Sequence, residues 1–324
     1  MDNKLENYKL FPNSNDIVRH DAFGVVYAIE ILLIKLNEEN LKVKPADPNR
    51  PILEEKIPIS EYGKDKYEIG LYRAADTKIR AVYEDIAARF CKNPALYKKV
   101  LACFFAWCTK NDTWSIDCDI EDIIEEGYRK SEGGRRFAYH TKVEFCQVVH
   151  DLLNLEFYAI QKTGGGGRFK LLSSVYGSGK ETFEGSTIRT KNPIFKKINF
   201  ECCAGLANKL FTHDAIYFPK KSLYMSTKNR TTYELAHYIH WILYIEANKG
   251  NDGKMFTVSS LAKYVGKTNS HKRLIEKLNT IIPYFLIDYK EQPGQKRIFI
   301  WSDFLEIKNP PNKKNQPEKK NKDV

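Results

Sequence analysis

A fixed order of helical and strand-like segments recurs twice along the chain, and it limits the folds that the chain can adopt. In the second occurrence, a long helical pattern and a short β-prone run precede two more helical patterns and two strand-like runs. Each segment is too short to bury its own apolar side, so the segments must pack into one small domain. They are residues 231–247, 255–257, 258–265, 270–282, 285–289 and 296–301. Ser259 or Thr257 can cap the helix over 258–265 and Gly266 can end it, and Pro283 is predicted to stop the next helix.

The first occurrence has the same order but little residue identity with the second. Its two strand-like runs are joined at Gly164–Gly167, which suits a hairpin tip. Helix, strand, helix, helix, strand, turn, strand is the order of a winged helix, a helix-turn-helix closed by a β-hairpin. We therefore predict an α+β protein with tandem winged-helix domains. The segments of the first occurrence are residues 95–109, 116, 117–128, 138–155, 157–161 and 168–173.

Three further segments flank these two domains. An N-terminal helical extension and linker contains an amphipathic helix over 16–36 and a proline-rich loop. A basic joint includes a helix over 201–210, and the lysine- and proline-rich C-terminal tail is predicted to be disordered. The predicted boundaries are 1–90 for the extension, 91–176 for the first winged helix, 177–230 for the joint, 231–303 for the second winged helix and 304–324 for the tail.

The net charge of +11 is concentrated in the second half of the chain. Residues 191–300 contain 18 Lys or Arg against 8 Asp or Glu, whereas the residues before 191 are close to neutral. This asymmetry indicates a half that binds a polyanion. A lysine-rich soluble protein without such a ligand is the alternative.

The helix over 270–282 carries the sharpest functional signal. One face at about 100° per residue is shared by Leu274, Ile275, Leu278, Ile281 and Ile282, and His271 is predicted to pack with them. The second helix of a helix-turn-helix enters the major groove, where Arg and Asn can read bases and Lys can bind phosphate. A winged helix used only for protein contacts is the alternative. The predicted DNA-binding residues are Lys267, Asn269, Lys272, Arg273 and Lys277, with Lys296 and Arg297 at the base of the wing.

The first winged helix has a less basic third helix. That helix is predicted to expose His140, Glu144, Gln147 and Asp151, which do not favour phosphate. We expect a partial phosphate contact combined with protein contacts. The predicted DNA-binding residues of this domain are Arg135, Arg136, Arg168 and Lys170.

The acidic helix over 117–126 raises an enzymatic alternative, a metal-dependent nuclease or primase. Asp117 and Asp119 resemble a carboxylate pair that holds Mg²⁺. Acidic residues in the first turn of a helix are also expected from the helix dipole, and this structural interpretation is favoured. His237 and His240 could share a helix face and bind a metal, but without a third ligand they are interpreted as packing or surface residues.

No cofactor is predicted. The segment Val265–Thr268 ends like a phosphate loop, but Leu261 stands where the first glycine belongs. The seven cysteines contain no C-x-x-C pair and are expected to be reduced thiols in the cytoplasm. The polar N-terminus is not a signal peptide, and the apolar stretch 22–36 is too short to span a membrane.

Two winged helices joined by a basic segment, with a positive tail, resemble the theta-type plasmid replication initiators, which bind repeated origin sequences. The resemblance rests on element order over residues 95–301 and on stretches such as 231–245, 256–265 and 270–287. It implies origin-DNA binding by both domains, with the main base contacts in the second. It also implies a first domain that mediates dimerisation, and no enzymatic activity.

We therefore expect a cytoplasmic, non-catalytic protein that binds double-stranded DNA site-specifically and initiates replication of a plasmid or episome. Its expected partners are duplex DNA, a second copy of the chain through the first winged helix, and host replication proteins, with no membrane. A dimeric transcriptional repressor has most of the same features and stays an alternative beside the nuclease or primase.

Overall fold

The chain divides into two units, residues 1–233 and 234–324. The computed structural model describes part of each unit, and the statements below refer to those residues alone. The described residues are 17–20, 25–38, 57–60, 66–71, 77–111, 113, 115–130, 137–161, 166–170, 172–176, 197–202, 216–266, 270–292 and 296–305.

Five helices of unit 1 pack around one apolar core. The core takes Leu32 and Ile86 from the N-terminal ninety residues together with Phe104, Phe145 and Phe157. The predicted boundary at residue 90 therefore does not separate two cores. The helices are α1 (Val25–Asn37), α2 (Thr77–Lys92), α3 (Pro94–Asn111), α4 (Ile120–Gly127) and α5 (Tyr139–Asn154).

Nine strands of unit 1 form three antiparallel sheets, with orders β1–β9, β2–β3–β5–β6 and β4–β8–β7. The predicted hairpin is present in part as β5 and β6, where Tyr158 lies opposite Arg168. Gly166 and Gly167, predicted for its tip, lie on β6, and residues 172–173 of the predicted second strand belong to β7 in another sheet. The strands are β1 (Ile17–His20), β2 (Ile57–Ser60), β3 (Lys66–Leu71), β4 (Ser115–Asp119), β5 (Phe157–Gln161), β6 (Gly166–Phe169), β7 (Leu172–Tyr176), β8 (Lys197–Cys202) and β9 (Ile216–Pro219).

Strand pairing in unit 1 differs from that expected for the first winged helix. Strand β4 pairs with β8, which comes from the predicted joint, and the β5–β6 hairpin pairs with β3 from the predicted extension. Strand β4 and the β5–β6 hairpin, which a winged helix would place in one sheet, therefore belong to two different sheets. The strands that pair in these sheets lie far apart in the chain, so the local hydrophobic pattern does not identify which strands pair.

Three predicted helical segments of unit 1 are strands in part. Residues 17–20 form β1 and α1 begins only at Val25, Asp117 and Asp119 lie on β4, and residues 201–202 belong to β8. In each case a distant partner strand satisfies the backbone N–H and C=O groups that a helix would have satisfied locally. The remaining residues of the predicted helix over 201–210 lie outside the described residues.

Unit 2 has the element order that its sequence predicts. Its three strands form one antiparallel sheet in the order β10–β12–β11, and Leu274, Leu278, Ile298 and Ile300 lie in its core. Helix α6 begins in the last residues of unit 1. The elements are α6 (Arg230–Asn248), β10 (Gly253–Thr257), a 3₁₀ turn (Ser259–Leu261), α7 (Ala262–Val265), α8 (Ser270–Phe285), β11 (Ile287–Glu291) and β12 (Arg297–Ser302).

Local signals set the ends of the second helical segment of unit 2. Thr257 Oγ1 accepts a hydrogen bond from the Ser260 N–H at 3.1 Å, which is the predicted N-cap. At the other end, Gly266 has φ +76° and its N–H donates to Ala262 O at 2.8 Å. Glycine adopts this left-handed conformation without a steric cost, so Gly266 ends α7 as predicted.

Helix α8 passes the proline that was predicted to stop it. Pro283 lies inside the helix, which ends at Phe285. Proline removes only its own N–H, and the Leu286 N–H still donates to Ile282 O at 3.0 Å, so the last turn closes. Leu286 then turns the chain with φ +51°, and its carbonyl accepts from the Asp303 N–H at 3.0 Å.

Phe304 is buried in unit 2, although the tail was predicted to begin at residue 304. Its ring lies 5.8 Å from that of His240, which is fully buried, and His240 and His237 both contact Phe285. These contacts confirm the packing interpretation of the two histidines. Residues 306–324, which carry most of the predicted disordered tail, lie outside the described residues.

Candidate nucleic-acid interface

Helix α8 has one buried face and one exposed face. Leu274, Leu278 and Ile281 are fully buried, as the apolar spacing predicts, whereas Ile275 and Ile282 at the edges of this face are half-buried. Lys272 and Glu276 are exposed on the opposite side. Helix α8 therefore sits on the core of unit 2 and presents its polar residues to solvent. An exposed helix of this kind is about the right width for the major groove of B-DNA.

Arg273 and Lys277 form one flank of α8, next to the end of α7. A Cβ on Gly266 would lie 3.2 Å from Arg273 Nη1, so the glycine leaves room for the guanidinium. Partial burial and the neighbouring charge of Arg273 lower the pKa of Lys277. The two cations thus lie close enough to repel each other, an arrangement that an anionic ligand relieves.

The opposite flank of α8 is tied to strand β11. His271 Nε2 lies 3.1 Å from Glu291 Oε2, and the Tyr289 hydroxyl donates to Asn279 Oδ1 at 3.1 Å. The prediction that His271 packs with the apolar face is wrong, because its side chain is 40% exposed and reaches a carboxylate. His271 lies at the edge of the apolar face of α8, where its polar partner Glu291 on β11 decides which way the side chain points.

Lys296 and Arg297 lie at the start of β12, and both are exposed. Their backbone is held firmly, since Lys296 O accepts from the Val258 N–H and Arg297 O accepts from the Gln292 N–H, both at 3.1 Å. Because the backbone is held in place here, the Lys296 and Arg297 side chains can move only by changing rotamer. Residues 293–295, the tip of the predicted wing, lie outside the described residues.

Lys263 on α7 is a basic residue that the sequence analysis did not select. It is exposed, and its Nζ lies 4.7 Å from the ring centroid of Tyr264 and 5.2 Å from that of Tyr238. Cation–π contacts of this kind hold the ammonium in place while leaving its outer side open. The available signal was its position inside the predicted helix over 258–265, directly before the predicted reading helix.

Positive charge dominates the stretch of unit 2 that carries these residues. From Lys263 to Arg297 there are eight Lys or Arg and three Asp or Glu. One of the three acids, Glu291, already faces His271. The structure thus places five of the seven predicted residues of unit 2 on described elements, while Lys267 and Asn269 lie outside the described residues.

In unit 1 the predicted contacts are placed less completely. Arg168 is exposed on β6, and Lys170 follows that strand and is half-buried. Arg135 and Arg136 lie outside the described residues. On α5, His140 and Glu144 are exposed as predicted, but Asp151 is fully buried, which corrects its predicted exposure. Helices α2 and α3 supply its partners, Arg89 and Tyr97, so this part of α5 is covered on its polar side as well.

Within the described residues, no group of three His, Cys, Asp or Glu side chains is placed to hold a metal ion. Asp117 and Asp119 lie on the exposed side of β4. Glu126, the buried acid of α4, faces Lys110 at 3.2 Å and Lys220 at 2.8 Å. Two lysines already occupy the positions that a cation would take beside this carboxylate. Among the described helices, none is both long and apolar enough to cross a membrane.

Two solved structures resemble this chain. One holds domains 2 and 3 of RctB, with 13% sequence identity and a TM-score of 0.42, and covers 84% of this chain and 98% of that chain. The other, also of RctB domains 2–3, has 12% identity and a TM-score of 0.40, and covers 80% of this chain and 92% of that chain. At a TM-score below 0.5, such a likeness does not define a shared fold. No protein-family model matches the sequence. No curated protein matches it either.

Proposed function

We propose that this chain is a non-enzymatic protein that binds double-stranded DNA site-specifically, with unit 2 as a winged helix and α8 as its reading helix. The observation that carries the proposal is the exposed polar surface of α8, where Lys272 lies opposite the buried apolar residues and Arg273 is exposed on the flank next to it. The sheet order β10–β12–β11 supports the same assignment, because it places the β11–β12 hairpin beside the helix.

The chemistry of this surface fits a duplex better than a protein partner. Arg273 can form paired hydrogen bonds with a guanine edge, and Lys272 can bind phosphate or guanine as a compact charge. Lys296 and Arg297 provide further phosphate contacts from the hairpin. Because the apolar side chains of α8 are turned inward, the face lacks the large apolar anchors that protein interfaces favour.

The test begins with selection of a binding sequence from a random duplex library. Fluorescence anisotropy then compares the wild-type chain with the variant Lys272→Ala/Arg273→Ala on the selected duplex. We expect a loss of at least roughly 30-fold, because each base contact contributes about 1–3 kcal/mol of discrimination. Binding to a scrambled duplex should weaken much less.

Lys249→Ala is the matched control, since Lys249 is exposed and pairs with Glu246 rather than with α8. It should bind the selected duplex as the wild type does. Retention of full affinity by the α8 double variant would exclude α8 as the reader. Nicking or primer synthesis by the chain with Mg²⁺ or Mn²⁺ would overturn the non-enzymatic assignment.

We propose further that the bound DNA is a replication origin with repeated sites, as the resemblance to theta-type plasmid initiators implies. A plasmid that carries the gene, its flanking repeats and no other origin should be maintained in cells. The Lys272→Ala/Arg273→Ala variant should abolish maintenance, and Lys249→Ala should not. Repression of a nearby promoter without maintenance would favour a transcriptional repressor instead.

The proposal has three further parts. The chain self-associates through unit 1, it contacts host replication proteins, and it lies in the cytoplasm. Sedimentation velocity over a concentration series would detect the dimer directly. A single monomeric species at all concentrations would remove the dimer from the proposal but leave the DNA-reading role intact.

A further inference from the structure

A basic segment free of carboxylates connects β9 to α6 in unit 1. From Ala215 to Tyr233 the chain has four Lys or Arg and no Asp or Glu. Its other polar side chains are hydroxyls and one amide. Such a segment offers many hydrogen-bond donors and has no carboxylate of its own, which is the composition that phosphate oxygens favour.

The inner side of this segment is anchored to the helices of unit 1. Ser222, Leu223 and Met225 are buried, and Leu223 packs in a small core with alanines of α3. Lys99 Nζ of α3 donates to Met225 O at 3.1 Å. The backbone of the segment is therefore fixed by apolar packing and by a buried hydrogen bond.

The outer side of the segment carries its cations. Lys221 and Lys228 are exposed, and the exposed Arg129 guanidinium lies over the Tyr224 ring at 5.6 Å. Lys220 differs from these residues, because it lies 2.8 Å from the Glu126 carboxylate and is neutralised there. We name the surface formed by Arg129, Lys221, Tyr224 and Lys228 the connector surface.

We propose that the connector surface binds the phosphate backbone of duplex DNA without reading bases. This inference rests on the proposed DNA-binding function and adds a second contact surface to it, in unit 1. The three cations of this surface are exposed, and its aromatic side chain, Tyr224, is half-buried and covered by Arg129. Such a surface suits phosphates in a row better than base edges or an apolar peptide.

The anchoring of the segment also bears on affinity. Flexible loops lose conformational entropy when they bind, and this loss subtracts from the affinity. Here the backbone is already ordered by Leu223, Met225 and the Lys99 hydrogen bond. Only the side chains of Lys221 and Lys228 need to be ordered on binding.

The test uses the full chain and the variant Lys221→Gln/Lys228→Gln, with Lys35→Gln/Lys249→Gln as the control that removes the same charge elsewhere. Anisotropy titrations with the selected and the scrambled duplex are repeated over a range of KCl concentrations. Each lost phosphate contact should make the slope of log K against log salt shallower by about 0.9, so two contacts give about 1.8. Affinity for both duplexes should fall by the same factor.

The outcomes separate this inference from the proposed function. If Lys221→Gln/Lys228→Gln shows the same salt slope as the control variant, the inference is overturned. The Lys272→Ala/Arg273→Ala variant then still tests whether α8 reads the DNA. A connector variant that loses its preference for the selected duplex shows base reading, which also overturns a backbone-only contact. If the wild-type chain binds neither duplex, the proposed function itself fails. Both target lysines are exposed, so matching unfolding curves for all variants should verify that the fold is kept.

Discussion

Asp151 is a fully buried carboxylate that joins three helices of unit 1. It accepts hydrogen bonds from Arg89 Nε at 2.9 Å, Arg89 Nη2 at 2.6 Å, Gln147 Nε2 at 3.0 Å and the Tyr97 hydroxyl. Burial raises its pKa, but His150, Arg89 and Tyr97 outweigh burial and hold the pKa below its usual range. The charged form of Asp151 is therefore the one that the fold requires.

Replacing Asp151 with Asn should lower the free energy of unfolding by about 2–4 kcal/mol, because it removes the charge that the Arg89 side chain faces. A carboxyl group whose pKa is lowered by folding stabilises the fold fully at pH values above its pKa in the unfolded chain, which is about 3.9. This stabilisation is lost as the pH falls from there through the lower pKa of the folded state. Urea unfolding at pH 7 and at lower pH should thus show a smaller acid-induced loss in the variant than in the wild type. Equal losses in both proteins would contradict this role.

Lys99 is a buried lysine with an unusual environment. Its side chain is 4% exposed, and its Nζ lies 4.1 Å from the Tyr128 ring centroid. Burial lowers the pKa of Lys99 to about 8, although Cys103 acts in the opposite direction. The folded protein therefore releases this proton at a lower pH than the unfolded chain does.

A lowered lysine pKa makes stability rise with pH between the folded value of about 8 and the unfolded value of about 10.4, since the unfolded chain holds more protons there. The full gain from Lys99 is about 3 kcal/mol. Between pH 8 and pH 10, the free energy of unfolding should rise less in Lys99→Met than in the wild type. An unchanged difference between the two proteins across this range would show that Lys99 does not titrate as described.

At the scale of elements, the turn after α8 holds a leucine in an unfavourable conformation. Leu286 has φ +51°, and it is the one residue other than glycine with positive φ among the described residues. Its side chain is 36% exposed, so it adds little to the core. The turn is kept because the Leu286 carbonyl accepts from the Asp303 N–H, which joins the start of β11 to the end of β12.

Leu286→Gly should raise the free energy of unfolding of unit 2 by about 1 kcal/mol, because glycine avoids the left-handed steric cost of about 1–2 kcal/mol. Leu286→Ala is the matched control, since it removes the side chain but keeps the Cβ. It should be neutral or destabilising. Stabilisation by alanine as large as that by glycine would mean that the side chain, and not the backbone, is the unfavourable feature.

At the scale of the whole molecule, the two units have separate cores. Ile86 is fully buried in unit 1, and Ile281 is fully buried in unit 2. We therefore expect each unit to unfold cooperatively by itself.

Differential scanning calorimetry should therefore resolve two transitions. Ile86→Val and Ile281→Val each remove one buried methylene, at a cost of about 0.5–1.5 kcal/mol. Each should lower one transition only, by about 4–8 °C for the smaller unit 2 and by less for unit 1. A single transition that both variants shift equally would show that the units unfold together.

Much of unit 2 follows from its sequence. The spacing of Leu274, Leu278 and Ile281 predicts the buried face of α8, and Thr257 and Gly266 predict the ends of the preceding helical segment. These features depend on residues close in the chain, so periodicity and capping chemistry are enough to find them. The same spacing leaves Lys272 and Arg273 on the outer face.

The sequence by itself thus determined the element order of unit 2 and the basic face of α8. Only the tertiary structure decided that β4 pairs with β8, that Asp151 is buried and that His271 faces Glu291. It also decided that the connecting segment lies on α3 and turns Lys221 and Lys228 outward. The physical reason is distance along the chain, because periodicity records which side of an element is apolar but not which distant strand or charged side chain covers the other side.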